Sequence, residues 1–164
     1  MSFQYTAELS DEHVWAWISM AFEGGSNYWI EKAVIPQEVC DRYKPSNMLS
    51  DDLSALQERN EYNYSHQLPF LEGGAVELVT YEDDKFTLNR DGITVGLKLM
   101  ATNSPNHFND LVDEGGDSIT ADVLLQYSLF GEWCTDDGNR LVSTIFQTAT
   151  ERPSYDFGCQ LCGE

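Results

Sequence analysis

Three Glu-Gly-Gly triplets punctuate the chain, at Glu72-Gly73-Gly74, Glu114-Gly115-Gly116 and, earliest, inside Phe22-Glu23-Gly24-Gly25-Ser26-Asn27-Tyr28-Trp29-Ile30. They constrain the fold because the hydrophobic period changes across them. Before the first, Val14, Ile18, Ala21 and Phe22 recur at helical spacing, with Ser10 as N-cap and Asp11 and Glu12 in the first turn. After it, residues 27–35 are aromatic and β-branched and run into Pro36, a strand signature. A phosphate cradle needs glycines leading into a helix, often with a lysine, whereas here a glutamate precedes each pair. The pairs are therefore read as turns, with Gly24 in the left-handed position that ends a helix.

The same reasoning divides the rest. Phe3, Tyr5, Ala7 and Leu9 alternate as a strand over 3–9. Residues 75–81 and 85–88 form a hairpin around Glu82-Asp83-Asp84. Ile93, Leu97 and Met100 predict a helix capped by Asn89 or Asp91. Pro105 opens a short helix, and Asp117 or Ser118 caps a longer one from Ile119 to Phe130 with a broad apolar stripe. Residues 36–69 read as a loop-rich insertion with one short helix from Ser50 to Glu58. Leu141 to Phe146 suggests a last strand, and the end of the chain reads as loop. The expected architecture is α+β: a small, mainly antiparallel sheet with helices packed on one face, in a single domain over 1–133 followed by an extension over 134–164.

A chain of 164 residues with 41% hydrophobic residues can bury one core. Against this, 28 acidic and 9 basic residues leave a net charge of -19. That charge opposes direct contact with nucleic acid or an anionic membrane and favours a basic protein partner. The start of the chain lacks a signal-peptide pattern, and no apolar run approaches the roughly 18 residues of a membrane span, so a cytoplasmic location with reduced cysteines is expected.

Of the aromatics flanking the first glycine pair, Trp15 and Trp17 lie about 200° apart on a helix, so one of them must approach the surface. Cys159 and Cys162 have zinc-ligand spacing that Cys40 and Cys134 could complete, but a second such pair is missing, and His13, His66 and His107 are scattered. No GxSxG, HExxH or P-loop occurs, so neither an enzyme nor a cofactor is expected. A small-ligand module, such as one for a signalling nucleotide, would have to draw its cations from Lys32, Arg42, Lys44, Arg59, Lys85, Arg90, Lys98, Arg140 and Arg152.

The acids cluster: Asp51 and Asp52, Glu58 and Glu61, Glu82, Asp83 and Asp84, Asp113 and Glu114 with Asp117, Asp122, and Asp136 and Asp137. From Glu114 to Asn139 no basic residue intervenes. Gathered on one face, these carboxylates would present phosphate-like charge to a basic groove, and they are the expected partner-binding residues.

Residues 23–29 (EGGSNYW), Leu71-Glu72-Gly73-Gly74, and His107-Phe108 followed by 120–132 (TADVLLQYSLFGE) together resemble a family of small uncharacterised accessory proteins of tailed phages and prophages. The likeness does not extend over 36–69 or the tail. It brings no reaction. It implies a phage accessory role in the bacterial cytoplasm, and with the charge it suggests an inhibitor of a host defence protein such as a CRISPR effector or restriction complex.

Overall fold

In a computed structural model of the protein, residues 8–132 and the strand pair Leu161–Cys162 are described. The fold is α+β, with an antiparallel sheet in the order β5-β4-β1-β6 and helices packed against it. The elements are α1 (Asp11–Met20), β1 (Ile30–Pro36), α2 (Gln37–Arg42), β2 (Lys44–Pro45), α3 (Leu53–Arg59), β3 (Glu61–Tyr62), β4 (Ala75–Thr80), β5 (Lys85–Asn89), α4 (Arg90–Asn103), α5 (Pro105–Asp113), α6 (Ser118–Phe130) and β6 (Leu161–Cys162), with a 3-10 helix over Ser65–Phe70.

Capping explains where the helices begin. Ser10 Oγ accepts from the His13 amide at 3.1 Å, Asn89 Oδ1 from Gly92 at 2.9 Å, and Asp117 Oδ1 from Ile119 at 3.0 Å. The hairpin forms as expected, with β4 and β5 in register from Ala75↔Asn89 to Val79↔Lys85. Asp83 takes the left-handed conformation at its turn, with φ 65.

Around the first glycine pair the structure corrects the expectation. Gly24 has φ 175, which is extended rather than left-handed. One wide turn over Ala21–Gly25 makes the reversal instead, closed by the Ser26 amide on the Ala21 carbonyl at 2.9 Å. Gly25 is the glycine with a steric duty, since a Cβ there would stand 2.6 Å from the Ser118 carbonyl oxygen at the start of α6. In the other two triplets the left-handed positions belong to Gly73, with φ 66, and to Glu114, with φ 58, so the third triplet turns on its glutamate.

The core forms around α6, which is buried on nearly all sides and packs against α1, α4, α5 and β5. Phe130 meets Phe86 edge-on at 4.8 Å and Trp29 at 5.5 Å between ring centres, joining helix to sheet. Trp17 is buried, whereas Trp15 is half-buried, and both indoles are hydrogen-bonded.

Helices α4 and α6 approach closely because Gly96 has no side chain: a Cβ there would stand 2.8 Å from the Ser128 Cα and 2.7 Å from its backbone nitrogen. Gly96→Val should therefore force the helices apart and cost about 2–3 kcal/mol despite the low helix propensity of glycine. Urea denaturation checks this, and a loss under about 0.5 kcal/mol would show that the contact yields freely.

Residues 36–69 are more organised than a loop. They carry α2, α3, a short parallel ladder pairing Lys44 with Glu61 and Pro45 with Tyr62, and most of the 3-10 helix. Gln67, fully buried, ties them together: its Oε1 accepts from the Asn63 amide at 2.8 Å and the Tyr64 amide at 3.0 Å, and its Nε2 donates to the Ser50 carbonyl at 3.2 Å. The end of the chain is not all loop either, since Leu161 and Cys162 pair antiparallel with Pro36 and Ile35 at the sheet edge. Of the strand expected over 3–9, only Glu8 and Leu9 are described, and they are not in a strand; the one expected over 141–146 lies outside the described residues.

Candidate functional site: an acidic cleft

A cleft of about 970 Å³ opens between α2, α3, the first turns of α1 and α4, and the segment Phe70 to Ala75. Among the described residues, six carboxylates line it, from Asp11, Glu12, Glu38, Glu58, Glu72 and Asp91, against the single guanidinium of Arg90. The acids are there for a local reason as well. Asp11 and Glu12, Glu38, and Asp91 stand in the first turns of α1, α2 and α4, where the helix dipole favours negative charge.

Arg90 does not neutralise this rim for an incoming ligand, because it is already engaged. Its Nη1 donates to Asp11 Oδ1 at 3.0 Å, and its Nη2 donates to Asp11 Oδ2 and, at 2.9 Å, to the Phe70 carbonyl. The Arg42 guanidinium meets Glu72 at 3.7 Å, an exposed and therefore weak pair. Glu12, Glu38, Glu58, Glu72 and Asp91 are exposed at the cleft.

At the cleft wall, Thr87 carries a buried Oγ1 with no hydrogen-bond partner among the described residues, and its cross-strand neighbour Glu77 carries a buried Oε1 in the same state. Lys85 Nζ stands 3.8 Å from that Glu77 oxygen, too far for a hydrogen bond. Burial raises the Glu77 carboxyl above its ordinary range, and Lys85 offsets this only in part.

The acids singled out by their clustering take other places. Asp51 is exposed, and Asp52 caps α3, accepting from the Ser54 and Ala55 amides at 3.0 and 3.2 Å. Of the described members of the set, Glu58 alone lines the cleft. Glu61 is half-buried and held below the ordinary carboxylate range, first by its hydrogen bond from Arg59 and then by one from Ser46. Glu82 and Asp83 are exposed at the β4–β5 turn beside half-buried Asp84, whose carboxyl is raised by burial and then by repulsion from both. Asp113, Glu114 and Asp117 surround the α5–α6 turn, with a Glu114 oxygen 3.4 Å from His13 Nδ1. Asp136 and Asp137 lie outside the described residues.

Asp122 requires a correction, because it is not a surface acid. It is only 6% exposed, and its carboxylate is saturated with donors. Ser26 Oγ at 2.6 Å and Trp29 Nε1 at 2.8 Å donate to Oδ1, while Tyr28 Oη at 2.6 Å and Gln126 Nε2 at 2.7 Å donate to Oδ2. The stretches SNYW and TADVLLQ thus meet at one buried carboxylate, and these motif residues build the fold rather than a partner surface.

Cys40 is also corrected, since it is disulfide-bonded rather than a free thiol and is lost as a zinc ligand. Among the described residues no three His, Cys, Asp or Glu side chains gather as a metal site. Disulfides are rare in reducing compartments. Thiol titration of denatured, unreduced protein should therefore find no more than two of the four cysteines free, and four free thiols would refute the bond. Among the described residues, no helix is long and apolar enough to cross a membrane.

Comparison with family models, curated proteins and solved structures gives no match for this chain.

Proposed function

We propose that this protein is a non-enzymatic inhibitor that captures a basic segment of a bacterial defence protein and keeps nucleic acid from it. The observation that carries this reading is the convergence, among the described residues, of six carboxylates on one cleft whose single guanidinium is already paired. A lysine or arginine entering there meets several carboxylates at once. The partner's phosphate-binding residues are the natural occupants, since they are selected for negative charge. The net charge of -19 would speed the encounter by electrostatic steering. The likeness of the EGGSNYW and TADVLLQYSLFGE stretches to phage accessory proteins is what points to a host defence protein, a CRISPR effector or restriction complex. The acids at the β4–β5 turn and around the α5–α6 turn would extend the contact beyond the cleft.

The test starts with capture of partners from host lysate at low salt, followed by affinity measurement on the purified pair. Raising salt from about 50 to 500 mM should weaken binding at least roughly tenfold, because exposed ion pairs are screened. Glu38→Lys combined with Glu58→Lys, both on exposed helix positions, should weaken it by a similar factor while leaving the fold intact. Affinity indifferent to both salt and charge reversal would overturn the proposal.

A further inference from the structure

A second cavity, of about 650 Å³, lies beside the β2–β3 ladder and differs in character from the acidic cleft. Tyr62, Tyr64 and His66 supply aromatic surface, Ile35 and Pro45 supply apolar surface, and Lys44 brings a cation. The volume falls in the range of sites that hold small organic ligands.

His66 is the informative residue. It is only 6% exposed, yet it lines this cavity. Its Nδ1 receives a hydrogen bond from Trp15 Nε1 at 2.8 Å. An indole nitrogen can only donate, so Nδ1 must be the bare nitrogen of the ring. The imidazole hydrogen then resides on Nε2, which has no partner among the described residues. A neutral histidine in one fixed tautomer is thus held with a single N–H donor unspent. Three other rings fix its orientation. Tyr64 stacks on it at 5.1 Å and 17°, Phe22 meets it edge-on at 5.6 Å, and Trp15 lies tilted at 5.9 Å. Tyr64 is 44% exposed, so part of its surface remains open to a further ring. Lys44 is exposed, and no carboxylate pairs with it among the described residues.

We infer that this cavity binds a nucleobase-bearing small molecule: a planar heterocycle stacked on Tyr64, with an acceptor edge facing His66 Nε2–H and an anionic substituent reaching Lys44. A heterocycle suits the site better than a simple anion, because the base is uncharged and escapes the protein's negative field. Stacking on aromatic side chains tolerates any base, so the inference concerns the ligand class and not one base. It stands apart from the acidic cleft, and either can fail without the other.

The experiment is a titration of the full chain, followed by NMR, with AMP, GMP, CMP, UMP, adenosine and inorganic phosphate as probes. In the free protein, the His66 ring nitrogens should show the hydrogen on Nε2; a hydrogen on Nδ1 would refute the donor assignment and the inference with it. At least one nucleotide should saturably shift His66, Tyr62 and Tyr64 resonances, and phosphate alone should not. Tyr64→Ala, at an exposed position, should weaken binding on the order of tenfold. Lys44→Ala should weaken the nucleotide roughly threefold and leave the nucleoside unchanged. Absence of saturable shifts with every probe, or shifts that map away from this cavity, would overturn the inference. So would phosphate binding as well as the nucleotides.

Discussion

Asp122→Ala should bring the protein close to unfolding, with a loss of about 3–5 kcal/mol. The carboxylate accepts from four side chains, Ser26, Tyr28, Trp29 and Gln126; removing it strips Ser26 and Trp29 of their acceptor and leaves Gln126 Nε2 only its 3.2 Å bond to the Tyr28 hydroxyl. Ser26 and Gln126 are fully buried and Trp29 is 2% exposed, so water cannot readily replace the lost acceptor. The loss also has a topological reach. Ser26, Tyr28 and Trp29 lie between α1 and β1, while Asp122 and Gln126 lie on α6, so the network fixes the central helix against the turn that feeds the sheet. Typical domains are stable by only about 5–15 kcal/mol, so a loss of this size dominates the balance. Asp122→Asn should be milder, because the amide keeps one acceptor oxygen, yet it still destabilises by setting its own N–H donors against donors. Urea unfolding of the variants measures the effect, and a loss below about 1 kcal/mol for Asp122→Ala would show that the network is replaceable.

This residue also shows what the sequence could and could not reveal. Asp122 sits in a stretch with no basic residue, and by composition it looked like surface charge. Its burial is caused by donors some 90 residues away in the chain, whose pairing no local pattern records. The donors carried a signal of a kind: a Ser, a Tyr and a Trp cluster beside a glycine pair, and a Gln stands one turn beyond the acid. The regular elements were more legible, because their causes are local. The caps at Ser10, Asn89 and Asp117, the hairpin around Glu82 to Asp84 and the preference for helix over strand in α4 all follow from neighbouring residues. Apart from the helix expected over 50–58, which forms as α3, residues 36–69 were obscure because α2 has only six residues, too short for periodicity, and the segment rests on tertiary partners such as the Tyr43 hydroxyl donating to the Glu72 carbonyl.

The acidic cleft was illegible for a related reason. Clusters along the chain drew attention to acids at turns, whereas the cleft assembles isolated acids from the starts of three helices, one glycine-pair glutamate and Glu58. The role of Asp11, Glu12 and Asp91 in their own helices was plain, but that α1 and α4 begin side by side is a property of the topology. The Asp11–Arg90 pair records that meeting, spanning 79 positions of sequence.

His66 gives the second large effect, in how stability depends on pH. Burial lowers its pKa from 6.5 to about 4, and Glu23 offsets the shift only in part. The unfolded chain therefore binds a proton near pH 6.5, while the folded protein refuses it until near pH 4. Stability contributed by neutral His66 is present in full above the unfolded pKa, declines as pH falls through this window, and levels off below about 4. The slope approaches roughly 1.4 kcal/mol per pH unit, for a total on the order of 3 kcal/mol. Glu77 and Asp84, whose folded pKa values are raised, contribute with the opposite sign, because the folded state takes up their protons first. The comparison that isolates the histidine is wild type against His66→Gln, in which the carboxylate contributions cancel. The difference in unfolding free energy between the two should shift against wild type as pH drops from 6.5 toward 4. Protonation would also place a hydrogen on Nδ1 facing the Trp15 N–H at 2.8 Å, so that bond must break as the ring charges. A difference curve that stays flat between pH 7 and 4.5 would mean that His66 titrates normally, and that the aromatic enclosure admits water as freely as the unfolded chain does.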